Sequence, residues 1–163
     1  MKILYFGGQK SGKSRLAEQK ALQLSNAKPY YIATYDNSYD DKEMGNRIKK
    51  HQNQREEKFI TIEETKDLPK VIEDTNTYLV DCISMWILNH IETSEEELIE
   101  QIDTLDKTKA NIVFVLNDVS SGIIPLEYQS RRFVDMSGII GQKLASICDE
   151  VYEVKIGIGV KIK

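Results

Sequence analysis

The stretch that decides the fold is Gly7-Gly8-Gln9-Lys10-Ser11-Gly12-Lys13-Ser14, near the start of a 163-residue chain. It follows a short apolar run typical of a strand and precedes a segment with helical spacing of its alanines. The spacing G-x-x-x-x-G-K-S lets glycines adopt backbone angles closed to other residues, so successive N–H groups converge on a phosphate at a helix N-terminus. Lys13 would reach the outer phosphates, and the Ser14 hydroxyl would bind a nucleotide-associated Mg²⁺. The pattern predicts a phosphate-binding loop, the alternative being a glycine turn before a surface helix.

Composition narrows the class of protein. With 40% hydrophobic residues, the chain is expected to form a single globular domain over residues 1–163. The net charge of −4 argues against a nucleic-acid or anionic-membrane partner, so phosphates must be bound locally. The apolar start is too short for a signal peptide or a membrane span, which predicts a cytoplasmic protein. Cys82 and Cys148 lack the C-x-x-C spacing of zinc or redox sites and are expected to be buried thiols.

Apolar runs that alternate with helical patterns predict an α/β fold. Strands are expected over residues 3–6, 30–34, 59–62, 77–81, 111–116, 151–155 and 158–162. Helices are expected over residues 14–24, 68–72, 83–91, 94–105 and 126–149. This order indicates a P-loop nucleotide-binding fold with a doubly wound, mostly parallel sheet and helices on both faces. In such sheets the ligand lies beyond the carboxyl ends of the strands, where the loop, Thr34, Asp81 and the 117–118 pair would project.

Two side chains outside the loop are candidates for chemistry. Asp81 ends an apolar strand, where it would be a direct or indirect partner of Mg²⁺ or, alternatively, a helix cap. His51 lies in a polar segment with Arg47 and Arg55 at the i−4 and i+4 positions of a helical pattern. Two guanidiniums would disfavour a protonated imidazole and attract a polyphosphate, which suits nucleophilic attack on phosphorus. The alternative is a structural or exposed histidine, the role also expected for His90.

Several further motifs follow the loop in a fixed order. They are G-G-x-x-S-G-K-S-R from Gly7 to Arg15, Y-I-A-T from Tyr31 to Thr34, D-x-E-M-x-x-R-I-x-x-H-x-x-x-R from Asp41 to Arg55, T-x-E from Thr61 to Glu63, D-C-x-x-x-W from Asp81 to Trp86 and G-I-x-P from Gly122 to Pro125. Taken together they resemble the bifunctional adenosylcobinamide kinase / adenosylcobinamide-phosphate guanylyltransferase of cobalamin biosynthesis. The resemblance covers the whole chain, and R-I-x-x-H together with D-C-x-x-x-W is its specific part.

The resemblance implies an activity and a set of site residues. It implies that His51 becomes guanylylated and that Lys13 assists transfer from the nucleotide. It also implies a guanine nucleotide site lined by Gly7 to Ser14, Ala33, Thr34, Tyr35, Gln52, Asn53, Gln54, Arg55, Glu63 and Asp81. Adenosylcobinamide, its phosphate, ATP and GTP would be the substrates, Ser14 and Asp81 would hold Mg²⁺, and the assembly would be a homotrimer.

Two other functions remain open from the residues. A small-molecule P-loop kinase would use the phosphate loop and Asp81 but would not need His51. A non-catalytic nucleotide-binding switch would order the polar segment around residues 35–58 for a partner protein.

Overall fold

The structure is a computed structural model that describes residues 1–35 and 57–163. Its elements, in chain order, are β1 Lys2–Gly7, α1 Lys13–Leu24, β2 Tyr30–Ala33, β3 Ile60–Glu63, a 3-10 helix Leu68–Val71, β4 Thr77–Asp81, α2 Ile83–Asn89, α3 Glu95–Lys107, β5 Asn111–Asn117, α4 Tyr128–Ile147, β6 Glu150–Lys155 and β7 Ile158–Lys161. The predicted alternation of strands and helices is confirmed over these ranges, with differences at element ends alone. The predicted helical pattern around His51 lies outside the described residues.

The strands form one seven-stranded sheet with the order β3-β2-β4-β5-β1-β6-β7. The neighbouring strands pair in parallel, except for β6 and β7, which pair antiparallel. The apolar strand β5 lies at the centre, where residues Ile112–Leu116 are buried. A parallel strand covered on both faces needs apolar side chains in both directions, so its continuous apolar run predicted this position correctly.

Helices cover both faces of the sheet, as expected for a doubly wound fold. On one face α1 packs on β4 and β5 through Ala17 and Ala21, which are fully buried. On the other face α2, α3 and α4 enclose a larger core that contains Trp86, Ile102 and Leu144. Each large apolar side chain buried there contributes about 1.5–3 kcal/mol relative to exposure.

Helix α3 begins where its capping box predicts. The Ser94 hydroxyl accepts a hydrogen bond from the Glu97 N–H at 3.4 Å, which satisfies one free donor of the first turn. The three apolar residues predicted to share one face of this helix, Leu98, Ile102 and Leu105, are all buried. Local sequence therefore determines both the start and the orientation of α3.

The two cysteines differ from the expectation in one respect. Both thiols are free, and Cys148 is buried as predicted, but Cys82 is partly exposed. The prediction holds only in part for Cys82, which lies between β4 and α2 at the carboxyl edge of the sheet: the residue is partly exposed, but burial of its thiol raises the pKa to about 11. Over residues 1–35 and 57–163, none of the helices is long and apolar enough to span a membrane.

Candidate nucleotide site

The carboxyl ends of six parallel strands lie side by side at one edge of the sheet. The register pairs Ala33 with Glu63 on one side and with Asp81 on the other. Further along the same edge, Gly7 pairs with Asn117. This edge therefore carries the start of the phosphate loop. It also carries the strand-end residues that the sequence predicted for the site and that the structure describes.

The phosphate loop has the backbone geometry that its glycines predict. Gly12 has a φ of +96° and Lys10 a φ of +57°, both in the left-handed region. Gly12 is also the N-cap of α1, and no side chain caps this helix end. The first N–H groups of the twelve-residue helix are thus left for an anion, which the helix dipole also favours.

The turn between β6 and β7 contacts the phosphate loop and the first turn of α1. The Gly157 N–H donates to the Ser11 carbonyl at 2.7 Å, and the Arg15 guanidinium donates to the Gly157 carbonyl at 3.3 Å. A Cβ atom on Gly7 would lie 2.3 Å from the carbonyl oxygen of Val154. The sequence did not reveal this support, because it joins segments about 140 residues apart in the chain.

Lys13 lies folded back over the loop. Its side chain is buried, and Nζ donates to the Gly8 carbonyl at 3.1 Å. Burial lowers the pKa of the amino group, while nearby Cys82 and Asp81 act in the opposite direction. A nucleotide phosphate would offer the ammonium a charged acceptor in place of the neutral carbonyl, and hydrogen bonds between charged groups are the stronger kind.

Asp81 and Ser14 place two oxygen atoms next to the loop. The Ser14 hydroxyl donates to Asp81 Oδ1 at 3.4 Å, and the Tyr31 hydroxyl donates to Asp81 Oδ2 at 3.2 Å. Magnesium in phosphate-transferring sites takes few protein oxygens and completes its shell with substrate phosphates and water. Within the described ranges no group of three or more His, Cys, Asp or Glu residues could hold a metal ion. The Ser14 and Asp81 oxygens are a donor set of the small size that a nucleotide-associated Mg²⁺ uses.

Tyr31 is a site residue that sequence reasoning missed. Its hydroxyl bonds both the carboxylate and the backbone carbonyl of Asp81, at 3.2 and 3.3 Å. These bonds orient the carboxylate at the end of β4. The available signal was the strand alternation, which places Tyr31 and Ala33 on the same face of β2.

A second polar network ties the strand ends to α2. The Thr34 hydroxyl donates to the Cys82 carbonyl at 2.7 Å and accepts from the Cys82 N–H at 3.0 Å. The Asn89 amide donates to the carbonyls of Thr34 and Thr65, at 2.7 and 2.9 Å. Asn89 thus joins the segments that directly follow Ala33 at the end of β2 and Glu63 at the end of β3. It was missed because it ends an otherwise apolar helix.

The remaining candidates are the residues from His51 to Arg55, together with Tyr35 and His90. His51, Gln52, Asn53, Gln54 and Arg55 lie outside the described residues, so their place in the site stays a prediction. Tyr35 is half-buried and directly precedes that segment. His90 is buried, its Nδ1 lies 2.8 Å from the Trp86 carbonyl, and its ring packs on the Trp86 indole at 5.2 Å. These contacts agree with the structural role expected for His90.

Comparisons with known proteins agree with this geometry. A family model described as cobinamide kinase / cobinamide phosphate guanyltransferase matches residues 3–162. The chain is 33% identical to the bifunctional adenosylcobalamin biosynthesis protein CobP of Pseudomonas aeruginosa, over 100% of this chain and 98% of that protein. It is 34% identical to the bifunctional adenosylcobalamin biosynthesis protein CobU of Escherichia coli, over 100% of both chains. Among solved structures, a KaiC-like protein of Pyrococcus horikoshii shares the fold, with a TM-score of 0.50 and 14% identity over 93% of this chain and 69% of that one.

The close contact at Gly7 leads to a prediction with a control in the neighbouring residue. Gly7→Ala places a methyl group against the backbone of β6, because its Cβ would lie 2.3 Å from the Val154 carbonyl oxygen. We expect a loss of about 2 kcal/mol of stability, or roughly 4–8 °C in thermal unfolding, together with weaker nucleotide binding. Gly8→Ala is the control for folding, because its Cβ would meet nothing within 4 Å. Equal melting temperatures for the two variants would contradict the close packing of Gly7 on the backbone of β6.

Proposed function

The chain belongs to the cobinamide kinase / cobinamide phosphate guanyltransferase family, and we propose that it phosphorylates adenosylcobinamide and then converts the product to adenosylcobinamide-GDP. The observation that carries the proposal is the edge of the sheet where the uncapped start of α1, the buried Lys13 and the Ser14–Asp81 pair meet. This arrangement is suited to bind and polarise a nucleoside triphosphate.

In the kinase half-reaction, the substrate hydroxyl attacks the γ-phosphorus of ATP or GTP. A new P–O bond forms at the aminopropanol oxygen, the bond to the β-phosphate oxygen breaks, and the hydroxyl proton leaves to solvent. Lys13 and the first N–H groups of α1, which no side chain caps, stabilise the charge that moves onto the leaving diphosphate. Ser14 and Asp81 would hold Mg²⁺, which neutralises charge on the nucleotide phosphates when it is bound.

In the guanylyl half-reaction, an imidazole nitrogen of His51 attacks the α-phosphorus of GTP. The P–N bond forms as the bond to pyrophosphate breaks. An oxygen of the corrinoid phosphate then attacks the same phosphorus, and the P–N bond breaks to release adenosylcobinamide-GDP. A covalent intermediate divides one difficult transfer into two easier displacements.

The nucleotide in this proposal lies along the edge that the strand ends form. The wall beside the loop consists of Ala33, Thr34, Tyr35, Glu63 and Asp81, with Gln52, Asn53, Gln54 and Arg55 adding to it from the segment around His51. The bonds from Asn89 to the carbonyls of Thr34 and Thr65 support this wall, because they hold two of its segments at a fixed separation.

The assembly and location in this proposal extend the family resemblance. A single domain over residues 1–163 would carry both half-reactions, acting as a homotrimer in the cytoplasm on small-molecule substrates. Light scattering of the purified protein reports the number of subunits directly. The two alternatives, a kinase without guanylyl transfer and a nucleotide switch, differ from this proposal in the covalent step and in corrinoid turnover respectively.

Asp81→Asn tests the cation site. The substitution keeps the size of the side chain and its bond from Tyr31 but removes the negative charge beside Ser14. We expect Mg²⁺-dependent turnover to fall by a factor of roughly 100, as for loss of a charged group that acts on the transition state. Metal-free nucleotide binding, measured with a fluorescent GTP analogue, should change little. If binding without metal fell as far as turnover, Asp81 would have a structural role instead.

His51→Ala separates the proposed enzyme from a simple kinase. We expect the variant to lose covalent labelling by α-labelled GTP and guanylyl transfer while it still phosphorylates adenosylcobinamide, because phosphoryl transfer needs no imidazole nucleophile. In the wild type, mass spectrometry should find one GMP on the peptide from Arg47 to Arg55, bound through an acid-labile and alkali-stable bond.

Lys13→Ala is the matched comparison for His51→Ala, since one phosphate loop serves both half-reactions and this variant should lose both. Guanylyl transfer at the wild-type rate by His51→Ala, or a label on another peptide, would leave the kinase alternative as the better description.

A further inference from the structure

A groove lies on the face of the sheet opposite α1, between α4 and strands β1 and β6. Its volume is about 270 Å³, and its floor consists of apolar side chains. These are Leu4, Phe6, Leu116 and Val151, which belong to the larger of the two cores or pack on it. No part of the nucleotide site described above uses this space, although the two share an edge.

The α4 wall of the groove carries little side-chain bulk. Gly138 and Gly141 lie one helical turn apart and both line the groove. Gly141 has a packing reason, because its Cβ would lie 3.2 Å from Leu116 Cδ2. A Cβ on Gly138 would meet nothing within 4 Å. Glycine weakens a helix interior relative to alanine, so Gly138 gives up helix stability without relieving a contact inside the protein.

A buried hydroxyl lies in the same wall. Ser137 is 6% exposed, and its Oγ has no hydrogen-bond partner among the described residues. Buried polar groups are usually paired. Because the Oγ atom has almost no accessible surface, this unmet hydrogen bond is a property of the wall itself.

The mouth of the groove opens beside the phosphate loop. It is formed by the segment after β5, and the Asp118 N–H donates to the Gly7 carbonyl at 2.8 Å. The Asp118 carboxylate accepts from the N–H and the hydroxyl of Ser120, at 3.0 and 2.6 Å, and these bonds lower its pKa. The carboxylate is therefore already paired, and the side chains of Asn117 and Gln142 are neutral.

The lining chemistry selects the occupant. None of the lining residues, all within the described ranges, is Lys, Arg or His, so the groove lacks the cations that bind a triphosphate. Its volume lies just below the range of about 300–1,000 Å³ for small-molecule pockets, enough for one part of a large ligand. Ile123 and Leu126 are 96% and 97% exposed and belong to the same connection between β5 and α4 that supplies Val119 and Ser120 to the groove.

We propose that this groove binds an uncharged part of the phosphoryl acceptor through the methyl and methylene groups of that part, and that Gly138 keeps the groove open for it. The identity of the acceptor as adenosylcobinamide rests on the proposed function. Its position does not, because a molecule seated between α4 and β1 with its reactive end at the mouth lies next to the phosphate loop. In this arrangement the nucleotide and the acceptor would meet beside the hydrogen bond from the Asp118 N–H to the Gly7 carbonyl.

Gly138→Leu tests the groove by filling it. Leucine is a stronger helix former than glycine, so α4 should be retained. We expect KM to rise roughly tenfold or more for adenosylcobinamide in the kinase half-reaction and for adenosylcobinamide phosphate in the guanylyl half-reaction, as for loss of a fully occupied apolar contact. Covalent labelling by GTP and the affinity for a fluorescent GTP analogue should match the wild type. Ser146→Leu is the control, because Ser146 is exposed on α4 and does not line the groove.

A second variant that fills the groove keeps the test valid if Gly138→Leu does not fold. Gln142→Trp changes an exposed residue of the same wall, and it should raise the same KM even if Gly138→Leu fails to fold. The proposal is wrong if the folded blocking variants keep the wild-type KM for adenosylcobinamide. It is also wrong if they weaken GTP binding instead, or if they change the mass measured by light scattering, which would identify the groove as a nucleotide pocket or a contact between copies.

Direct binding separates this proposal from the proposed function. Equilibrium dialysis with adenosylcobinamide needs no turnover, and Gly138→Leu should weaken binding relative to both the wild type and Ser146→Leu. If Gly138→Leu weakens adenosylcobinamide binding but the wild type shows no turnover, the proposed function is wrong and the groove is still the binding site. If turnover is normal and Gly138→Leu binds as tightly as the wild type, the groove is not the binding site and the proposed function is retained.

Discussion

The nucleotide site depends on the close approach between Gly7 and the backbone of β6. A Cβ at position 7 would lie 2.3 Å from the Val154 carbonyl oxygen, so only glycine allows the loop to leave β1 at this angle. The Gly157 N–H then fixes the loop by its bond to the Ser11 carbonyl. These two contacts hold the loop, and the uncapped start of α1 directly follows it. The phosphate-loop motif supplies the N–H donors, and the β6–β7 turn holds the loop that carries them in place.

Hydrogen bonds between side chains and backbone also hold the strand ends of the site in place, although the side chains that make them need not contact phosphate. Tyr31 orients the Asp81 carboxylate, Thr34 pairs with the backbone of Cys82, and Asn89 bridges two neighbouring segments. Each such bond contributes only about 0.5–1.5 kcal/mol to stability. Their larger effect is geometric, because an electrostatic site acts without reorganisation only if its groups are already in place.

The parts of the structure that sequence predicts are those determined by local pattern. The apolar run of β5 identified a strand buried on both faces, and the capping box of α3 identified a helix start with its inner face. The phosphate loop belongs to the same class, since its glycines and Lys13 are contiguous. Contacts made by distant segments were not predictable in this way. The bonds from Tyr31 to Asp81 and from Asn89 to Thr34 arise from strand order, which one sequence does not reveal.

The same distinction explains Cys82 and the groove. A cysteine after an apolar strand suggests full burial, yet this strand ends at an edge of the sheet, so the partial exposure of Cys82 follows from topology while its thiol stays desolvated. Gly138 within a helical pattern suggests only a weak point in the helix, until the space beside it is seen.

The sheet itself separates the chemistry of the two substrates. On the α1 side, the loop offers a buried ammonium and unpaired N–H groups, which suit a highly charged nucleotide. On the α4 side, the groove is apolar and its one carboxylate is internally paired. Because β1 has one face in each region, Gly7 at its end belongs to both. A phosphoryl acceptor in the groove and a nucleotide on the loop would therefore approach each other across the end of a single strand. This geometry favours transfer between two bound substrates, because neither must cross the charged or apolar surface that suits the other.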